Sequence, residues 1–166
     1  ANSVDRMRRL MAQLSSAREQ AEFRDVELKA VLDNVQERCK PRLPTPEVSY
    51  CEDDVTVRAD PERLTTMFEH LIRNAQDATE DNGLILVGMT TDGNVVTVSI
   101  EDRGCGMTQA FIRERLFRPF DSTKGSQSMG IGAYQAREYV RELGGQMEVT
   151  SVPGSGTTFD IRLPVV

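Results

Sequence analysis

Asp60-Pro61-Glu62-Arg63-Leu64-Thr65-Thr66-Met67-Phe68-Glu69-His70-Leu71-Ile72-Arg73-Asn74-Ala75-Gln76-Asp77-Ala78 reads as one long helix with polar groups along one border. Asp60 supplies an N-cap and Pro61 occupies the first turn, where a missing N–H costs nothing. Leu64, Met67, Phe68, Leu71, Ile72 and Ala75 recur at helical spacing and make a broad stripe for burial. At 100° per residue, His70, Asn74 and Asp77 share a narrow strip beside that stripe, so they are expected at the rim of a cleft.

Working outward from this helix, the sequence after it predicts a hairpin. Leu84 to Thr90 and Val95 to Glu101 alternate as strands, and Asp92-Gly93 between them is a strong turn signal. Residues 108–117 read as a short helix. Residues 121–130 are rich in Ser and Gly, lack periodicity and are expected to form a mobile loop. Ala133 to Leu143 reads as a helix stopped by Gly144-Gly145. Gln146 to Ser151 and Thr157 to Leu163 form a closing hairpin across Pro153–Gly156. Before the long helix, Leu28, Val31, Leu32 and Val35 mark another helix. Pro41, Pro44 and Pro46 mark a loop, and Val48 to Arg58 alternates enough for one strand or a hairpin. Hairpins interleaved with helices predict an α/β two-layer sandwich: a mixed, mostly antiparallel sheet with helices on one face.

Residues 1 to about 22 read as a helix with one apolar seam, Val4, Met7, Met11 and Leu14. Two readings stand: an amphipathic helix packed on its own domain, or the tail of a dimerisation helix. The start, Ala1-Asn2-Ser3, suggests a piece of a longer chain.

The 166 residues carry 20 Lys and Arg against 26 Asp and Glu, a net charge of −6, which argues against a broad nucleic-acid surface. An anion here must be held by local geometry instead of the overall field. No apolar run is long enough to span a membrane and no signal-peptide pattern is present. Cys39, Cys51 and Cys105 lack C-x-x-C pairing, which argues against zinc and fits a reducing compartment.

Four short motifs, in this order, describe a pocket for ATP: Asn74-Ala75-Gln76-Asp77-Ala78, Asp102-Arg103-Gly104-Cys105-Gly106, Met129-Gly130-Ile131-Gly132 and Gly154-Ser155-Gly156-Thr157-Thr158. An Asn carboxamide oxygen is a hard ligand suited to Mg²⁺, so Asn74 is the candidate metal ligand. The plain alternative is an Asn and Asp that solvate a helix edge. Asp102, at the end of a strand, can accept a hydrogen bond from the exocyclic amine of adenine, and at a fixed buried position it rejects guanine. Gly104 and Gly106 let the backbone approach a flat base. The plain alternative is an Asp-Gly turn after a strand. Gly130 and Gly132, in a turn running into a helix N-terminus, offer N–H groups to phosphates, and Lys124 on the preceding loop can reach a terminal phosphate. The spacing is neither a P-loop nor a dinucleotide fingerprint. Gly154 and Gly156 read equally well as a hairpin turn, with Thr157 or Thr158 as further pocket contacts. His70, the only histidine, sits beside the proposed metal ligand; as a general base it needs a partner and a water, and its place is wrong for a phosphoacceptor.

These residues resemble the ATP-binding catalytic domain of sensor histidine kinases, in the superfamily that also holds DNA gyrase, the heat-shock ATPase chaperone and MutL. His70 to Ala78 is similar to the N box, Asp102 to Met107 to the first glycine box, and Gly130-Ile131-Gly132 to the second. Phe117-Arg118-Pro119-Phe120 is similar to the F box. Ser122-Thr123-Lys124 after it resembles the short-lid nitrogen-regulator type, and Gly154 to Phe159 the G-x-G-T-x-F segment. The text from Asp121 to Glu138 also resembles a kinase of exosortase and exopolysaccharide systems.

The resemblance implies a Bergerat-type fold in which ATP and Mg²⁺ bind under a lid at about 108–130. The γ-phosphoryl then passes to a histidine on a dimerisation domain and on to a response regulator. It implies a nucleotide-binding set of Asn74, Asp77, Asp102, Gly104, Gly106, Met107, Phe117, Thr123, Lys124, Gly130, Ile131, Gly132 and Thr157, with His70, Asn74 and Lys124 as candidate catalytic residues. It also implies a division into a dimerisation-helix remnant at 1–22 and a catalytic ATP-binding domain at 23–166. The domain is expected in the cytoplasm, with the parent anchored in a bacterial inner membrane through segments outside this chain.

Two departures from the family's pattern matter. The phosphoacceptor pattern, a His followed by an acidic residue on an upstream helix, is absent; Glu69-His70-Leu71 falls inside the N box. Four residues before Asn74, where water-activating ATPases carry Glu, this chain has His70, which weighs against an ATP-driven clamp. An anti-sigma serine kinase, which shares the pocket without a dimerisation helix, and a degenerate module that holds nucleotide without transfer are the other rivals.

Overall fold

The computed structural model describes residues 3–19, 23–50, 55–117 and 127–166, with only the backbone described for 13–19 and 127–131. In chain order the elements are α1 (Ser3–Glu19), β1 (Arg24–Glu27), α2 (Leu28–Cys39), β2 (Glu47–Tyr50), β3 (Thr56–Ala59), α3 (Pro61–Ala78), β4 (Ile85–Asp92) and β5 (Val95–Asp102). They continue with α4 (Gln109–Phe111), which runs into a π-helical turn Ile112–Leu116, then α5 (Gln127–Glu142), β6 (Gln146–Val152) and β7 (Gly156–Pro164).

A five-stranded sheet in the order β2-β4-β5-β7-β6 forms one layer. Only the β2–β4 pair is parallel; β4–β5, β5–β7 and β6–β7 are antiparallel. The sheet buries one face by strict alternation: Ile85, Val87 and Met89 on β4, Val96, Val98 and Ile100 on β5, Phe159, Ile161 and Leu163 on β7. The helical layer lies over these side chains. α3 contributes Leu64, Met67, Phe68, Leu71, Ile72 and Ala75 to the same core, α2 adds Leu28, Leu32 and Val35, and α5 adds Ala133, Ala136 and Val140. The predicted two-layer sandwich is the observed fold.

α3 begins as its sequence dictates, with the Asp60 carboxylate accepting from the Glu62 N–H at 3.0 Å and Pro61 in the first turn. α5 ends in a Schellman motif: Gly145 N–H donates to Val140 O at 2.8 Å and Gly144 N–H to Arg141 O at 3.0 Å, with Gly144 at φ 80°.

Three expectations are corrected. The stretch from Val48 to Arg58 is not a hairpin. β2 joins the main sheet, whereas β3 pairs antiparallel with β1 in a separate two-stranded sheet. Second, α5 starts at Gln127, six residues before the expected Ala133, so 127–130 are helical; residues 121–126 of the predicted loop lie outside the described residues. Third, β5 runs one residue further than expected, through Asp102. On α1 every described side chain is exposed, and Val4, Met7, Leu10 and Met11 are each about half exposed; packing of that seam onto its own domain is not seen among them. No helix among the described residues is long and apolar enough to cross a membrane.

Candidate functional site

Asp102 continues the inward row of β5. Val96, Val98 and Ile100 point into the core, so a period of two places the Asp102 carboxylate on the same buried face, 5% exposed. It accepts from the Gly104 N–H at 3.0 Å and from the backbone N–H of Thr157, its partner on β7. Burial outweighs these two donors and pushes the carboxyl above its ordinary range.

The turn after Asp102 is fixed by backbone contacts. Cys105 N–H donates to Ala78 O at 3.0 Å, at the end of α3, and Gly154 N–H donates to Cys105 O at 2.7 Å, on the β6–β7 turn. A Cβ on Gly104 would collide with the Ala78 carbonyl, and one on Gly106, which sits at φ 70°, with the Val152 carbonyl. The two glycines, expected to admit a base, are demanded first by the protein's own chain. Met107 N–H donates to Ser151 Oγ at 2.7 Å. Ser151 donates to Gly156 O at 2.9 Å and lies 2.8 Å from Thr157 Oγ1. Thr157 is thus buried against Ser151, a residue that no motif marks and that only its inward alternation on β6 singles out.

On α3 the three polar residues do not lie equally at a rim. Asn74 is buried at 7% exposed, His70 is half-buried and Asp77 is exposed, since the strip turns 60° between Asn74 and Asp77. Asp77 is ion-paired to Arg42. Asn74 Oδ1 is buried and has no hydrogen-bond partner among the described residues. Gly132, on α5, faces this spot: a Cβ there would stand 3.5 Å from His70 Cβ and 3.6 Å from Asn74 Nδ2. Gly130, Ile131 and Gly132 lie inside α5 instead of a turn before it. Phe117, half-buried, carries the Arg137 guanidinium over its ring at 4.3 Å. Thr123 and Lys124 lie outside the described residues.

The four motifs therefore meet. The first touches the second through Ala78, the third through Gly132, and the second touches the fourth through Thr157 and Gly154. A buried amide oxygen without a partner can accept a donor or a hard cation. A buried carboxylate with insufficient compensation can accept a further N–H.

Residues 59–166 match the family described as histidine kinase-, DNA gyrase B-, and HSP90-like ATPase. Sensor protein TorS of Escherichia coli K12 is 35% identical over 107 residues, 64% of this chain and 12% of that protein. Sporulation kinase E of Bacillus subtilis 168 is 32% identical over 120 residues, 72% of this chain and 16% of that kinase. The chain thus spans under a quarter of the length of these curated relatives. Among solved structures, the catalytic domain of histidine kinase ThkA superposes with a TM-score of 0.75 at 25% identity, over 86% of this chain and 97% of that one. Full-length ShkA in complex with AMPPNP superposes with a TM-score of 0.73 at 25% identity, over 87% of this chain and 31% of that one. By its family match, its relatives and its fold, this chain belongs to the histidine kinase-, DNA gyrase B- and HSP90-like ATPases.

Proposed function

We propose that this chain is the catalytic domain of a two-component sensor histidine kinase, which binds Mg²⁺-ATP and donates the γ-phosphoryl to a histidine on a separate dimerisation domain. The observation that carries the reading is the pairing of two buried groups of complementary appetite, the Asp102 carboxylate and the unpartnered Asn74 amide oxygen, on elements joined at Ala78. Asp102 accepts from the adenine amine, beside the Gly104–Met107 turn. Asn74 Oδ1 holds the magnesium, which when bound neutralises charge on the phosphates. Asn74 Oδ1 and Gln76 Oε1 are both buried amide oxygens without a partner among the described residues. The Gln76 amide is committed through Nε2 to the Cys39, Arg42 and Pro44 carbonyls, and the Asn74 oxygen, beside Gly132, fits a cation of that kind. Gly132 keeps the wall beside Asn74 free of a side chain.

Thr123, Lys124, Gly130, Ile131 and Phe117 belong to the same proposal, Lys124 as the cation for the terminal phosphate. Thr157 and Met107 act through Ser151 on the shape of the Asp102 corner. Transfer then rests on positioning and charge neutralisation more than on bond-making by the protein. His70, half-buried at the closest approach of Gly132, lines this wall, and the acceptor histidine belongs to another domain. α1, with its exposed apolar seam, is read as the remnant of that dimerisation domain, residues 1–22, ahead of a catalytic domain at 23–166. The downstream partner is a response regulator, and the domain works in the cytoplasm with its parent anchored in the inner membrane.

The test mixes this chain, γ-labelled ATP, magnesium and a separate dimerisation domain. Acid-labile, base-stable label on the dimerisation domain is expected. Label retained wholly in ATP or released only as inorganic phosphate, across several such domains, contradicts the transfer reading.

A further inference from the structure

The last turn of α3 carries a cation that none of the four motifs contains. Asp77 lies one helical turn beyond Asn74, and its carboxylate is ion-paired to Arg42. Arg42 belongs to the connection between α2 and β2, ahead of the 59–166 span matched by the family. Its main chain is fixed as well as its side chain. Gln76, only 2% exposed, donates through Nε2 to the carbonyls of Cys39 at 2.9 Å, Arg42 at 2.9 Å and Pro44 at 3.2 Å. One buried amide thus seats the whole Cys39–Pro44 segment on α3.

The ion pair itself is half open to water, with the Arg42 side chain 48% and the Asp77 side chain 31% exposed. A pair this exposed adds little to stability. A buried amide spent on three carbonyls is more anchoring than such a pair needs. Its consequence is positional: a guanidinium is held at a set place one turn from the amide read as the metal ligand. Without it, a polyphosphate reaching Asn74 would meet the bare Asp77 carboxylate and be repelled. With it, that charge is offset, and the half-exposed guanidinium keeps N–H donors beyond the one spent on Asp77.

We infer that Arg42 is a nucleotide-phosphate-binding residue, delivered to the α3 end of the site by Gln76 and Asp77. The inference rests on the Mg²⁺-ATP reading above.

The test compares Mg²⁺-ATP affinity by calorimetry with adenosine affinity by NMR titration, in the wild type, Arg42→Ala, Arg42→Lys and Asp77→Asn. Arg42→Ala is expected to weaken Mg²⁺-ATP about tenfold, the scale of one charge-assisted hydrogen bond. It should leave adenosine affinity and the melting temperature unchanged. Arg42→Lys should recover part of the loss. Asp77→Asn should weaken Mg²⁺-ATP less than Arg42→Ala does, because the Arg42 side chain loses its partner while Gln76 still holds its backbone. Unchanged Mg²⁺-ATP affinity in Arg42→Ala, or equal losses for ATP and adenosine, overturns the inference while leaving the nucleotide reading in place. A wild-type protein that binds neither ligand removes both.

Discussion

The two ends of the site are built on opposite terms. At the strand end, Asp102 is surrounded by the protein's own donors, Gly104 and Thr157, and its turn is locked to α3 and to the β6–β7 turn by backbone hydrogen bonds. At the helix end, Asn74 presents a buried oxygen that no described residue satisfies. The first end is preorganised by the protein's own hydrogen bonds, and in the proposed function it is the end that reads the base. The second is incomplete until something arrives. A ligand that completes it binds the folded chain and not the unfolded one, so it must raise the melting temperature by mass action.

The comparison breaks most readily at Asp102. Its carboxyl is raised by burial, so the folded state binds that proton more tightly than the unfolded state does. The sign follows: stability contributed by this group is highest when it is protonated. It declines as pH rises from the ordinary carboxyl pKa through the raised folded one. Asp102→Asn removes that penalty and should melt higher at neutral pH. The same substitution should weaken ATP roughly 30- to 100-fold, the effect of facing the adenine amine with an amide instead of a carboxylate. In the wild type, ATP affinity should fall on acidification at a higher pH than an ordinary Asp would give. Calorimetry and thermal melts across pH check all three; unchanged affinity in Asp102→Asn would falsify the adenine role.

At the other end, Asn74→Ala should weaken Mg²⁺-ATP about tenfold and metal-free ATP hardly at all, because only the cation contact is lost. Equal weakening of both nucleotide forms assigns Asn74 to the nucleotide instead of the metal. The smallest effect belongs to Ser151, which supports the strand end without touching a ligand. Ser151→Ala leaves the Met107 N–H without its acceptor and should cost about 1–2 kcal/mol of stability, with a minor change in ATP affinity. Denaturant melts alongside calorimetry separate the two readouts.

The sequence made the strand end far more legible than the helix end. Asp92-Gly93 set the β4–β5 hairpin, and the alternation from Val96 to Ile100 extends one step to put Asp102 inside. α3 was readable from Asp60-Pro61 and its apolar stripe. What local pattern could not give was contact at long range. β1 and β3 are four-residue strands that find each other across α2 and β2. Gln127 to Gly132 lacks helical periodicity, yet it is helical where Gly132 lies against His70 and Asn74. Ser151 and Arg42 carry no motif; they matter through what the fold sets beside them, Met107 and Thr157 for one, Asp77 for the other.

The most direct measurement is a crystal structure of this protein with magnesium and a non-hydrolysable ATP analogue. The account predicts the adenine amine within hydrogen-bonding distance of the Asp102 carboxylate and the metal ligated by Asn74 Oδ1 of the same molecule. A nucleotide whose base lies away from Asp102, or a metal held without Asn74, contradicts it.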